Sequence, residues 1–257
     1  MSNDPSNPFQ SPSGDSYQDS PDTPSMPAPP RESIDYFGPF SQFFEHPNWV
    51  TNMLLPSLVL LIPILGVMVV WGYMFEAIAL LLTGRSERPY HGFTFDRFGD
   101  YLMRGLWIML AMFCLGLLFS IPLMIVVGAL NFAAQAADGP ARGVLAILAF
   151  VVQFGAQILI NLVTMPAMIR VGLTKEFSEG FNFGFMIDFF KKMWLDQILV
   201  ILFTSIAGMV VGIVGALACC VGILPAMILM MFVMTMLNMQ LYQVYLHRGG
   251  QTIPIAP

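Results

Sequence analysis

The run GLWIMLAMFCLGLLFSIPLMIVVGAL, Gly105–Leu130, contains no charged residue and decides the fold class. A helix rises 1.5 Å per residue, so about 20 apolar residues cross a hydrocarbon core of roughly 30 Å. A buried soluble helix seldom needs that length. The run therefore reads as a transmembrane helix.

Outward from it the pattern recurs. Val144–Ile169, Leu195–Ala218 and Leu224–Tyr245 are long enough to span in the same way. Val50–Ile62 is short, only about 20 Å as a helix, and ends at Pro63, so it is expected to be a short or re-entrant segment. Apolar residues make up 56% of the 257 and charged residues 11%. A soluble domain of ordinary composition carries about 25% charge, so a water-soluble fold is excluded.

Three stretches share one grammar. Gly92-Phe93-Thr94-Phe95 leads into Asp100, Arg104 and Trp107, and Gly180-Phe181-Asn182-Phe183 leads into Asp188, Lys192 and Trp194. Tyr36, Phe37, Phe40, Phe43 and Phe44 precede Trp49 at helical spacing. Each reads as a short interfacial helix closed by a tryptophan at headgroup level. Each is followed by an apolar stretch broken near its middle, at Pro63–Gly66, Asn131–Gly143 and Cys219–Pro225. The expectation is an all-α, polytopic transmembrane bundle of about six spans, built as three hairpin repeats over residues 34–90, 91–178 and 179–257.

Residues 1–33 differ from the rest. They are rich in serine, proline and aspartate, with too little apolar surface to offset the entropy of ordering, and are expected to form a disordered tail. With six spans and the tail inside, ten of the eleven basic residues fall on the inner side and only Arg142 outside. The positive-inside rule then predicts a multi-pass cell-membrane protein with both termini cytoplasmic. Basic groups at the inner surface favour anionic lipid headgroups as partners. The small-residue ridge Gly208, Gly212 and Ala216 suits helix packing, within the chain or between copies in a homo-oligomer.

Glu76 is the one acidic residue well inside an expected span. A charge there costs roughly 2.5–3.5 kcal/mol on insertion scales, so it needs a partner, a proton or water. Aligning the repeats places Gln240 level with it and Arg170 one turn nearer the interface, which predicts a Glu76–Arg170 pair with Gln240 beside it. Gln153, Gln157, Asn161 and Thr164 share a face of the fourth span, and Thr235, Asn238 and Tyr242 a face of the sixth. These groups either line a solute path or bond helix to helix. A cavity reaching Glu76 would favour transport; a dry, satisfied cluster would favour a structural role.

Phe43-Phe44-Glu45-His46-Pro47-Asn48-Trp49, Gly72-Tyr73-x-x-Glu76, Gly84 followed by Pro89, Phe95-x-x-Phe98-x-x-Tyr101-Leu102-x-x-Gly105-Leu106 and Tyr242-x-x-Tyr245-x-x-Arg248-Gly249-Gly250 together resemble domain of unknown function 4013. That family consists of bacterial and archaeal polytopic membrane proteins. The resemblance covers about residues 36–257, implies the membrane fold and supplies no activity. His46 stands where the family usually has aspartate.

Catalytic signatures are missing: there is no His-Glu-x-x-His, Gly-x-Ser-x-Gly or phosphate-binding glycine loop. Cys114, Cys219 and Cys220 form no ligand set for a metal, and the methionines of the last span read as packing filler. No cofactor, catalytic residue, metal site or nucleic-acid partner is expected. The expectation is a non-enzymatic membrane scaffold or interaction module; the alternative is a small-solute or ion transporter centred on Glu76.

Overall fold

The computed structural model describes residues 31–85, 89–218 and 222–256, so the expected tail lies almost wholly outside the described residues. The described chain is all-helical: α1 (Gly38–Glu45), α2 (Trp49–Val59), α3 (Leu65–Leu82), α4 (Phe98–Ala136), α5 (Pro140–Thr174), α6 (Phe183–Leu217) and α7 (Ile223–His247). Short 3-10 turns, Phe95–Arg97 and Phe177–Phe181, lead into α4 and α6. Five of these helices, α3 to α7, are long and apolar enough to cross a membrane. The protein is a multi-pass membrane protein.

The first hairpin departs from the other two. Helix α2 is apolar but has 11 residues, about 16 Å of rise, and cannot span alone. Among the described residues there are thus five spanning-length helices and one short one, where six spans were expected. Pro63 lies in the turn between α2 and α3, and Ile64 takes a φ of 64°, a strained backbone for a β-branched residue. The second break falls where the sequence puts it, between Ala136 and Pro140, with Gly139 at a φ of 59°. The third lies between Leu217 and Ile223, and Cys219 and Cys220 fall outside the described residues.

The interfacial helices need correction. Only the first unit has a separate one, because Pro47 interrupts the chain between α1 and α2. In the later units nothing breaks the helix, so α4 runs unbroken from Phe98 through Trp107, and α6 from Phe183 through Trp194. Helix α1 is also no free surface element. It docks on α7, with Phe43 buried against Tyr90 and Phe232 and the Asp35 amide donating to Gln240 Oε1 at 2.7 Å.

The core forms around α3 and α7. Val69, Val70, Tyr73 and Met74 of α3 and Phe232, Val233, Met236 and Leu237 of α7 belong to one buried cluster. Helices α3 and α4 touch backbone to backbone: a Cβ on Gly72 would strike the Tyr101 carbonyl, and one on Gly105 the Met68 carbonyl. Glycine is required at both positions by this approach. Beyond the core, α4–α5 and α6–α7 project as two arms. Phe113, Met124, Ile125, Phe132, Phe150 and Phe154 on the first arm, and Ile206, Met209, Ile213 and Leu217 on the second, face outward. In a bilayer these surfaces meet acyl chains, where exposure of apolar groups carries no hydrophobic penalty.

Candidate functional site

Glu76 lies in the buried C-terminal half of α3 and is 2% exposed. Its partner is Arg97, in the 3-10 turn before α4, whose Nη2 forms an ion pair with Glu76 Oε1. Glu76 Oε2 has no hydrogen-bond partner among the described residues. The expected Glu76–Arg170 pair is therefore not formed. Arg170 pairs instead with Glu179, nine residues on, in the 3-10 turn before α6, and its guanidinium lies 4.9 Å from the centre of the Phe185 ring. The repeat alignment placed Arg170 at a suitable depth, but depth says nothing about which way round a bundle a side chain points. The loop carrying Arg97 folds back beside α3, a placement the repeat alignment does not supply.

Arg104, one turn inside α4, is 1% exposed. Helical side chains lean toward the N-terminus of their helix, so the long Arg104 stem runs back toward the start of α4. Its Nη1 donates to Gly172 O at 2.9 Å and to Phe75 O at 3.3 Å. The first bond places a cation on the C-terminal turn of α5, the negative end of that helix dipole. One guanidinium thus ties α3, α4 and α5 together. Arg104 Nε has no partner among the described residues.

Between these groups lies a cavity of about 340 Å³, lined by Glu76, Thr83, Arg85, Arg97, Arg104 and the C-terminal residues Ile255 and Ala256. The C-terminal strap is held by two bonds: the Ile253 amide donates to the Tyr242 hydroxyl at 2.7 Å, and the Ala256 amide to Leu173 O at 2.9 Å. Next to Thr174, at the end of α5, burial and then the charge of Arg104 hold the Lys175 ammonium below the usual lysine range. Thr83 donates its hydroxyl to Ala79 O at 2.8 Å, back into α3.

The other expected cluster members lie elsewhere. Gln153, Gln157 and Asn161 are exposed on α5, and Asn161 Nδ2 bonds back to Gln157 O. Gln240 is engaged by Asp35. Asn238 is fully buried on α7, with neither side-chain polar atom partnered among the described residues. Asn161 and Thr164 do border a separate pocket of about 110 Å³ with Met112, Met165, Met168 and Met234. These polar groups thus form no continuous lining from Glu76. No group of three or more histidine, cysteine or acidic side chains suited to a metal occurs among the described residues.

The profile of the family described as protein of unknown function (DUF4013) matches residues 55–221, from α2 to the turn after α6. The chain belongs to the DUF4013 family. Glu76, Arg85, Arg97 and Arg104 all fall within the DUF4013 match, whereas α1, α7 and the C-terminal strap flank it. No curated protein and no solved structure matches the chain.

Proposed function

We propose that this DUF4013 protein is a non-enzymatic membrane interaction module that presents a basic cavity at one end of its helical bundle. The observation that carries this reading is that Gln153, Gln157 and Asn161 do not border the cavity formed by Glu76, Arg97 and Arg104, so no polar path across the bundle starts from it. The cavity has room for a polar ligand and is bordered by α3, α4, the turn at Arg97 and the C-terminal strap. Outward from it, the Gly72–Tyr101 and Gly105–Met68 contacts close α3 against α4. In this reading the basic end is cytoplasmic, together with both termini, in accord with the positive-inside bias.

A second reading, solute or ion transport, is favoured by one observation: the cavity reaches Glu76 rather than leaving it in a dry, satisfied cluster. Reconstitution separates the two. The purified protein is placed in sealed vesicles loaded with a pH-sensitive dye and with phosphate. No protein-dependent proton or phosphate flux is expected. A flux above that of empty vesicles, abolished by Glu76→Gln, would establish transport and overturn the module.

A further inference from the structure

We propose that the cavity is a receptor for a phosphoryl group, held by Arg97 and Arg85 and by the charge of the buried Arg104, with Glu76 acting as an internal competitor for Arg97. This deepens the preceding reading and rests on it. Three guanidinium groups and one carboxylate line the cavity, a formal excess of two positive charges, 3 − 1, among its described residues. The two buried charges, Glu76 and Arg104, cancel, so the excess is carried by Arg97, about one-third exposed, and by the exposed Arg85, where an anion arriving at the opening meets it. A phosphoryl group carries one or two negative charges and several strong acceptor oxygens. It matches this excess better than a neutral solute or a cation does. Guanidinium forks are also suited to phosphate by geometry, through paired N–H donors.

The decisive detail is Arg104. It is 1% exposed and lines the cavity, and its Nη1 is committed to Phe75 O and Gly172 O. Its Nε is left without a partner among the described residues, and a buried, unbonded donor of a charged group is rare and expensive. Nε itself has almost no accessible surface, so Arg104 acts on an anion in the cavity through its charge, and Arg97 and Arg85 supply the direct bonds. Arg97 differs: it is about one-third exposed and already paired, so ligand and Glu76 must share or exchange it. Arg85, just beyond the end of α3, stands exposed at the opening. Phosphoryl groups reach a membrane protein from two sources, a lipid headgroup or a soluble phosphate, and the chemistry is common to both.

The test uses the full-length protein in neutral maltoside micelles at low salt. Its probes are inorganic phosphate, and phosphatidylglycerol compared with phosphatidylcholine, with binding read by equilibrium dialysis and by the ligand-induced rise in Tm. Saturable binding is expected, weakened about tenfold or more in Arg97→Gln and in Arg85→Gln and only partly kept in Arg97→Lys, which keeps the charge and loses the paired donors. Glu76→Gln frees Arg97 and raises the charge excess, so it is expected to tighten binding. Binding of phosphate that competes with phosphatidylglycerol identifies a soluble ligand; preference for phosphatidylglycerol without phosphate binding identifies a headgroup. Equal responses of the wild type and an Arg85→Gln/Arg97→Gln double variant to every probe would overturn the site. Variants are compared only as monodisperse protein, and Arg85, outside the helices, supplies the case in which the fold is not at stake. Vesicle flux alongside intact phosphate binding would sink the module and leave the site standing. Absence of both binding and flux removes the ligand class alone.

Discussion

Helix α3 and the α4–α5 arm are both spanning-length and apolar, yet they are buried by different materials. In α3, 67% of the most apolar window lies inside the protein; in α5 the corresponding figure is 6%. Composition alone would assign both to lipid. The difference lies in size and spacing. Helix α3 places Gly66 and Gly72 where other backbones approach, and sets Tyr73, Phe75 and Glu76 among partners. The arm carries Gly116, Gly128, Gly143 and Gly155 with nothing nearby to touch. Glycine at these positions of the first region is a contact, and at these four positions of the second only a gap in an oily surface.

The sharpest way to break this comparison is to make one chemical change in both regions. Gly72→Leu forces a side chain into the Tyr101 carbonyl and is expected to cost about 3 kcal/mol or more. Size-exclusion chromatography in detergent should then show loss of the folded species. Gly128→Leu, in open space on α4, should elute as wild type. Equal damage at both sites would mean that the arm is packed against protein in the membrane.

Aromatic truncation gives a second contrast of similar size. Phe232→Ala, in the α1–α7 contact, is expected to lower stability by about 3–5 kcal/mol, whereas Phe132→Ala, 76% exposed, should lie within about 0.5 kcal/mol. Thermal unfolding in detergent reads both.

The ion pairs give a smaller effect. A double-mutant cycle between Glu76 and Arg97 is expected to show coupling of about 1–2 kcal/mol, below the fully buried case because Arg97 is partly exposed. The Arg170–Glu179 pair, more exposed on its acidic side, should give about 1 kcal/mol or less. The smallest value is predicted for Glu76 with Arg170: no coupling beyond the usual additivity error of about 0.5 kcal/mol. A larger value there would restore the pairing that the repeat alignment suggests.

These particulars mark what can be read along the chain. Helix class, the positions of the three turns and the weakness of the first hairpin were legible, because length, charge and proline are local properties. The singularity of Glu76 was legible for the same reason. Its partner was not: Arg97 reaches Glu76 only because the loop after α3 folds back, and Arg104 meets Gly172 only because α3, α4 and α5 converge. Arg104 stood in the sequence as one more interfacial basic residue. Its position three residues before Trp107, inside an otherwise apolar helix, was the available signal. Gln153, Gln157 and Asn161 were misplaced by the opposite error, since a shared helical face does not say whether that face turns inward.

The contact between α3 and α7 also imposes an order on the making of the protein. A chain that emerges N-terminus first completes α3 before any of the longer helices that will cover it. The outer parts of α4 and α5, where Gly116, Gly128, Gly143 and Gly155 meet no neighbour, can settle in lipid without the rest of the chain. Helix α3 can pair Glu76 with Arg97 and close on α4 early, but the face it turns to α7 must wait for residues that arrive within the last thirty or so. A ribosome stalled before α7 would leave a protein inserted but unfinished, with one face of α3 held open to whichever chaperone or protease reaches it first.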